Sequence, residues 1–211
     1  MDVKLLVHCG LVPIFVLVCL VSRADAQMCQ IVERFPDDFP AFRRHVVDDN
    51  FTAGYQNNVA DIDGDGRLDI LALSTEPTRL HWYRNPSWEK HVITTKTFRN
   101  IDLATCDVDG DGDLDLAIAS QFRLQDTLNG GLLHWLECPD DPTQEWTVHD
   151  IDAIPTSHRI RWADLDGDGR KELVNLPILG IGSGPPDYKI GLQFTVYRIP
   201  KTPRTDVWPS L

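Results

Sequence analysis

Three short acidic segments of this 211-residue chain have the composition of divalent-cation sites. Each has carboxylates at positions 1, 3, 5 and 9 and a glycine at position 6, where a tight turn is needed. Position 7 can add its backbone carbonyl, so that every ligand is an oxygen, the donor that calcium prefers; magnesium is the alternative. The predicted ligands, position 7 included, are Asp61, Asp63, Asp65, Arg67 and Asp69; Asp107, Asp109, Asp111, Asp113 and Asp115; and Asp164, Asp166, Asp168, Arg170 and Glu172.

These three loops differ from EF-hand loops, although the logic of their ligands is the same. An EF-hand closes with a bidentate glutamate at position 12, which here is Ala72, Ile118 or Asn175. The flanking segments have the composition of strands instead of helices. A solvated acidic turn is the alternative for any one copy, but three copies with one spacing favour metal binding.

Each loop belongs to a longer repeat of about four short strands, with periods of 46 and 57 residues. A histidine-centred strand precedes each loop, and an apolar strand and an aromatic strand follow it. The histidine strands are 44–47, 90–93 and 148–151; the apolar strands are 70–73, 116–119 and 173–176; the aromatic strands are 80–83, 133–136 and 194–197.

This repeat predicts an all-β fold, with blades of four antiparallel strands in an incomplete β-propeller of about three blades. Trp208 stands where Trp88 and Trp146 stand, directly before the next histidine strand. The sequence therefore predicts that the chain stops at the start of a fourth repeat and is part of a longer propeller. A three-blade protein closed by homo-oligomerisation is the alternative.

Composition limits the classes of partner. A hydrophobic content of 42% and a charged content of 25% are typical of a globular protein. The net charge of −12 excludes a nucleic-acid binder and disfavours binding to anionic membranes. The three loops hold 13 of the 32 acidic residues and three of the basic ones, so most of the charge belongs to the predicted metal ligands.

Residues 1–26 have the pattern of a secretory signal peptide. Lys4 precedes an apolar run from Leu5 to Val21, and Ala24 to Ala26 form an A-x-A cleavage site. A membrane anchor is the alternative, but the run is short and contains Pro13. We therefore expect a secreted protein, with a lead-in over 27–41 and propeller repeats over 42–211. Asn50 begins a glycosylation sequon whose use stays open.

An odd number of cysteines remains after signal removal: Cys29, Cys106 and Cys138. In an oxidising compartment this number predicts one disulfide and a free thiol, or a bond to a partner outside the chain. No zinc-site spacing, serine–histidine–aspartate order or paired-carboxylate arrangement outside the loops suggests another mechanism.

One segment breaks the repeat and is the candidate catalytic site. Where the other repeats carry Tyr55 and Ile101, the third carries His158, and Arg159 and Arg161 follow it. In an innermost strand facing the propeller channel, the histidine could act as a general base and the arginines could stabilise an enolate or a sugar oxygen. An exposed histidine with solvated arginines is the alternative.

Other residues of functional type recur and are predicted to be structural. This group contains His45, His91 and His149, and also His81 and His134. The tryptophans 82, 135 and 162 are expected in the core, with a sugar platform as the alternative. Two insertions, 121–131 and 177–191, lengthen the second and third repeats and are typical places for ligand binding.

The repeats resemble the FG-GAP/VCBS superfamily of propellers, whose blades carry this D-x-D-G-D-G-x-x-D/E loop. Segment 157–180 looks like the propeller of the aldos-2-ulose dehydratases. That resemblance implies a metal-dependent carbon–oxygen lyase acting on keto-sugars, and the segment contains the three residues that break the repeat, His158, Arg159 and Arg161. The lyases join a cupin-like region to the propeller, and no such stretch is found in this chain. The alternative is a non-catalytic extracellular recognition or adhesion module that binds glycan or protein.

Overall fold

The computed structural model describes residues 42–76 and 79–211, in which eleven β-strands and no helix occur. Accordingly, no helix within these ranges could span a membrane. The predicted signal peptide (1–26), the lead-in over 27–41 and Cys29 lie outside the described residues.

The strands form three antiparallel sheets that follow one another along the chain. The first sheet contains β1 (Gly54–Ala60), β2 (Asp69–Ser74), β3 (Arg79–Arg84) and β4 (Glu89–Val92). The second contains β5 (Asp102–Cys106), β6 (Asp115–Ser120), β7 (Leu132–Glu137) and β8 (Thr147–Ala153). The third contains β9 (Ser157–Ala163), β10 (Glu172–Pro177) and β11 (Thr195–Arg198).

The first strands of the three sheets lie next to one another. Strand β5 contacts both β1 and β9, and within each sheet the strands pair in sequence order. Sheets built outward from adjacent first strands are the blades of a propeller. The predicted fold class, an all-β partial propeller with about three blades, is confirmed.

The core lies in two layers between the sheets, and β6 serves both of them. All six residues of β6 are buried; Leu116 and Ile118 face the layer shared with the first sheet, whereas Ala117 and Ala119 face the layer shared with the third. This two-residue alternation, with apolar side chains on both faces, is what a strand between two packed sheets requires.

The predicted boundary of the repeat was wrong by one strand. The histidine strands β4 and β8 pair with the aromatic strands before them, in the registers Trp82↔His91 and Trp135↔His149. They are therefore the outer strands that end a blade instead of the strands that begin the next. The predicted strand at 44–47 is also wrong, because these residues form no strand.

The segment after β11 begins the fourth strand of the third sheet. Ser210 forms an antiparallel bridge with Tyr197, and the N–H of Leu211 donates to the carbonyl of Val196 at 2.9 Å. Trp208 is 4% exposed and belongs to the second core layer. The expectation that Trp208 opens a fourth repeat is therefore wrong: its segment completes the third blade.

Candidate metal centres and inner cleft

Each acidic loop connects the first strand of its sheet to the second, at the same end of the sheet. Position 9 is the first residue of that second strand in all three sheets: Asp69, Asp115 and Glu172. The glycine at position 6 has a positive φ in every loop, for example +85° at Gly66, a conformation that other residues adopt with strain. The predicted need for glycine in this turn is confirmed.

Three of the predicted side-chain ligands converge in every loop, from positions 1, 3 and 9. One carboxylate oxygen of each lies within 4.8 Å of the other two. Oxygens that share one calcium ion, each 2.3–2.6 Å from it, can be at most about 5 Å apart, so the donor set fits a hard cation. The three clusters are Asp61, Asp63 and Asp69; Asp107, Asp109 and Asp115; and Asp164, Asp166 and Glu172.

The carboxylates at position 5 lie outside these clusters. Those of Asp65, Asp111 and Asp168 each accept the backbone N–H of the residue at position 7, at 2.9, 3.0 and 2.8 Å. The position-7 residues, Arg67, Asp113 and Arg170, are thereby fixed through their backbone.

The position-1 aspartate organises the loop backbone around the cluster. In the first loop, Asp61 accepts the N–H groups of Asp65 and Gly66 at 3.1 and 2.9 Å. The first aspartates of the other two loops each accept the N–H groups of both loop glycines. The backbone of each loop is therefore folded around the carboxylate at position 1.

The position-9 carboxylate ties the loop to the blade behind it. Asp69 is fully buried and accepts hydrogen bonds from the N–H of Ile62 (3.2 Å), the indole of Trp82 (2.8 Å) and the N–H of Asn85 (2.7 Å). Asp115 accepts the N–H of Cys138 at 2.9 Å in the same way. Burial raises the pKa of Asp115 to about 7, because its charged form is desolvated.

An arginine pairs with the position-3 aspartate of every loop, a feature that the sequence analysis missed. Arg84 lies 2.5 Å from Asp63, and Arg198 lies 2.7 Å from Asp166. Both arginines end the third strand of their sheets, and the shared Tyr-Arg ending of the two aromatic strands could have revealed them.

The second sheet obtains its arginine from elsewhere. It has Glu137 in the place of Arg84 and Arg198, and Arg204, from the segment that follows β11, pairs with both Glu137 and Asp109. This double ion pair links the last segment of the chain to the second loop. No repeat in the sequence points to Arg204, because it lies outside the aromatic strand.

A cleft of about 570 Å³ opens between β1 and β9, and we call it the inner cleft. Apart from one glycine and one alanine, its lining residues are Phe51, Tyr55, Gln56, Asn57, Arg159 and Arg161. The two candidate arginines thus line this cleft, and both lie on β9, the innermost strand of the third blade.

His158 lies beside this cleft and is held by two aromatic residues. Its Nε2 is 2.9 Å from the hydroxyl of Tyr55, and its ring centroid is 5.3 Å from that of Phe122 in the first inserted loop. Burial lowers the pKa of His158, and the positive charge of Arg159 lowers it further, so the ring is neutral at pH 7. A neutral imidazole is the protonation state that a general base needs.

Both arginines are anchored by one buried carboxylate that the sequence analysis did not identify. Asp102 on β5 is fully buried; its Oδ2 accepts a hydrogen bond from Nη1 of Arg161 at 2.8 Å, and its Oδ1 lies 3.8 Å from Nη1 of Arg159. Arg159 also stacks 5.3 Å from the ring centroid of Tyr55. The guanidinium groups are therefore ordered, although Arg161 keeps 64% of its side chain exposed.

Two of the recurring histidines, His91 and His149, pack on core tryptophans, whereas His45 lies outside any strand. His91 packs on Trp82 with ring centroids 4.8 Å apart, and His149 stacks on Trp135 at 4.5 Å. Both tryptophans are fully buried core residues, so neither forms an exposed sugar platform.

His134 bridges two other residues in an arrangement that the sequence order did not suggest. Its Nδ1 lies 2.8 Å from Asp150, and its Nε2 lies 2.9 Å from the hydroxyl of Ser120. The order of groups is that of a hydrolytic triad, but Ser120 is fully buried and no substrate carbonyl can reach it. Burial also lowers the pKa of His134, which favours the neutral imidazole, and the hydrogen bonds of this buried ring are those of a structural residue.

Both described cysteines are buried free thiols. Cys106 and Cys138 form no disulfide with each other, so the predicted disulfide does not join these two residues; Cys29 lies outside the described residues. Burial raises the pKa of Cys138 to about 12, so this thiol has no nucleophilic character.

The two inserted loops contact each other. The hydroxyl of Thr127 donates to the carbonyl of Ser183 at 2.8 Å, and the N–H of Gly182 donates to the carbonyl of Thr127 at 3.1 Å. The first of these loops also carries Phe122, so the insertions support the His158 side of the inner cleft.

Comparison with known proteins identifies one region of this architecture. Residues 61–118, from the first acidic loop through most of β6, match the model of the FG-GAP-like repeat family. No curated protein matches the chain, so the predicted resemblance of 157–180 to the aldos-2-ulose dehydratases has no support from this comparison. The matched region together with the three sheets supports an FG-GAP-type propeller module whose acidic clusters could hold metal ions.

Proposed function

We propose that this chain is a secreted recognition module whose blades are stabilised by calcium and whose inner cleft binds a sugar. The FG-GAP-like match supports an extracellular, adhesion-type role, and the signal-like sequence of residues 1–26 agrees with export. Calcium is abundant outside cells, and its extracellular sites need only ~10⁻⁴–10⁻³ M affinity.

The observation that carries this proposal is the contrast between residues that repeat and residues that do not. The carboxylate clusters recur in all three sheets, as residues with a structural role in every blade do. The cleft residues Tyr55, Arg159 and Arg161 have no counterparts in the other repeats, yet two different strands bring them together. Polar residues that do not repeat and that converge in a cleft of this size are the best candidate for a ligand-binding site.

A sugar suits the cleft better than a protein partner. A volume of about 570 Å³ is that of a small-ligand site, whereas a stable protein interface needs about 800 Å² of surface from each partner. An exposed tyrosine ring beside amide side chains offers both an apolar face and hydrogen-bonding groups.

A glycan array probed with the calcium-loaded chain tests this function. We expect saturable binding to a subset of oligosaccharides, and loss of that binding in Tyr55→Ala. Val59→Ala is the matched control, because Val59 lies on the same strand, is 55% exposed and does not line the cleft. An array without binding, or one equally bound by both variants, contradicts the proposal; a protein captured by Tyr55-dependent binding would replace the sugar as ligand class.

A keto-sugar lyase is the second candidate, and the neutral His158 beside two arginines is the observation that favours it. In that function His158 would remove a proton from the carbon next to the carbonyl, and an arginine would stabilise the enolate. Incubation with an aldos-2-ulose distinguishes the two functions. Turnover that disappears in His158→Ala, with the melting temperature retained, supports the lyase; sugar binding without turnover supports recognition.

A further inference from the structure

The inner cleft is a positively charged site on an acidic chain. Arg159 and Arg161 are the only charged residues that line it, whereas the chain as a whole carries a net charge of −12. A local cationic surface of this kind attracts anions.

The arginines are organised before a ligand arrives. Asp102 holds Arg161 at 2.8 Å from beneath, and the backbone N–H of Ile160 donates to the same oxygen at 3.0 Å. Asp102 is fully buried, so its carboxylate cannot contact a ligand; it offsets one of the two positive charges, and the two arginines together keep the cleft cationic. Each guanidinium has five N–H donors, and the contacts with Asp102 occupy few of them. Ordered donors that remain available form bidentate pairs with carboxylates at a small entropic cost.

The cleft also contains an acceptor without a partner. The side-chain oxygen Oε1 of Gln56 is shielded from solvent and accepts no hydrogen bond from the described residues. A buried acceptor in this state costs about 1–3 kcal/mol until a donor is supplied. A rotation of the Gln56 side chain that turns Oε1 into the cleft would let a sugar hydroxyl supply this donor, whereas a simple carboxylate would not. The arginines and Gln56 together therefore favour a ligand that has both a negative charge and hydroxyl groups.

The aromatic side chains complete this set of requirements. Tyr55 is 45% exposed, and the guanidinium of Arg159 lies over its ring. Phe51 also lines the cleft. Flat apolar surfaces of this type pack against the C–H face of a pyranose ring.

We infer that the inner cleft binds an acidic sugar, a pyranose whose carboxylate pairs with Arg159 and Arg161 and whose hydroxyl donates to Gln56. This inference rests on the proposed recognition function and names its ligand class. It is independent of the keto-sugar lyase, whose substrate is uncharged.

Two sugars that differ in one group test the inference. Calorimetric titration of the calcium-loaded chain compares D-galacturonate with D-galactose, which has a CH₂OH group in place of the carboxylate. We expect at least tenfold tighter binding of the acid, and weaker binding of the acid in 500 mM than in 50 mM NaCl. Equal affinities for the two sugars would overturn the inference.

Substitutions in the cleft then test whether the arginines contact the carboxylate of the sugar. Arg159→Met should weaken galacturonate binding at least tenfold, while Lys201→Met, which removes an exposed positive charge from the C-terminal segment, should leave it unchanged. Arg161 neutralises the buried carboxylate of Asp102, so it is substituted by lysine, which keeps the positive charge. Arg161→Lys loses the planar guanidinium and should weaken galacturonate binding several-fold.

The failures of the two proposals can be told apart. A glycan array that shows Tyr55-dependent binding of neutral sugars only would overturn the acidic-sugar inference and leave recognition standing. An array without binding overturns both. Galacturonate binding that survives Arg159→Met but disappears in Asp63→Asn would place the anion on a loop metal ion and also overturn the inference.

Discussion

At the scale of single residues, the carboxylates of each acidic loop have different hydrogen-bonding partners and therefore different structural roles. The spacing predicted ligands at positions 1, 3, 5, 7 and 9, and in the structure the carboxylates of positions 1, 3 and 9 converge. It could not predict the arginine partners of position 3 or the carboxylate of Asp102, because those contacts join residues far apart in the chain. The buried position-9 carboxylate is the one whose loss should matter even without metal.

Asp69→Asn tests that role in the metal-free protein. An amide has one acceptor oxygen and an NH₂ group, so at least one of the three donors now bonded to Asp69 loses its partner. We expect the free energy of unfolding in EDTA to fall by about 1–3 kcal/mol, measured by urea titration. Asp65→Asn, in the exposed part of the same loop, is the control and should change stability little. Equal effects would contradict the structural role of position 9.

His134 predicts a component of the pH dependence. Burial lowers its folded-state pKa below the unfolded value, so the unfolded state takes up a proton first as the pH falls. The contribution of His134 to stability is therefore fully present well above pH 6.5, and it decreases as the pH falls through 6.5 towards the lower folded-state pKa. Urea titrations at pH 7.5 and 5.5 should show a smaller loss for His134→Gln than for the unsubstituted chain; the opposing effect of Asp115 is common to both and cancels. Identical losses would contradict a neutral His134.

At the scale of the strand, the recurrence of apolar and aromatic segments in the three repeats predicted six strands, and all six occur in the structure. The same reasoning misplaced the blade boundary, because a histidine strand follows one loop and precedes the next, and spacing alone does not say with which strand it pairs. Only the registers Trp82↔His91 and Trp135↔His149 decide this.

Substitution of Trp208 tests, through the free energy of unfolding, whether its segment belongs to the third blade. Its side chain is 4% exposed and packs in the second core layer. Trp208→Ala should therefore lower the free energy of unfolding by about 3–5 kcal/mol. Val207→Ala, next to it and 90% exposed, should change it by less than about 0.5 kcal/mol. Urea unfolding measures both, and similar values for the two variants would place Trp208 outside the third blade.

At the scale of the whole molecule, charge and fold are connected. The three loops concentrate most of the net charge of −12 at one set of strand connections, and each position-3 aspartate already pairs with an arginine. Three calcium ions would lower the net charge to about −6, and their binding energy would add to the stability of the blades. Composition predicted this concentration of charge, whereas the inner cleft depends on which first strands lie together and could not be read from the sequence alone.

Calcium-dependent melting tests the central claim most directly. The purified chain is melted in EDTA and in 10 mM CaCl₂, with MgCl₂ at the same concentration as the control. Three sites with affinities of ~10⁻⁴–10⁻³ M should together raise the melting temperature by about 10 °C or more, and magnesium should raise it less. A calorimetric titration of the same sample should give three ions per chain. A melting curve that is the same in EDTA and in calcium would contradict the account.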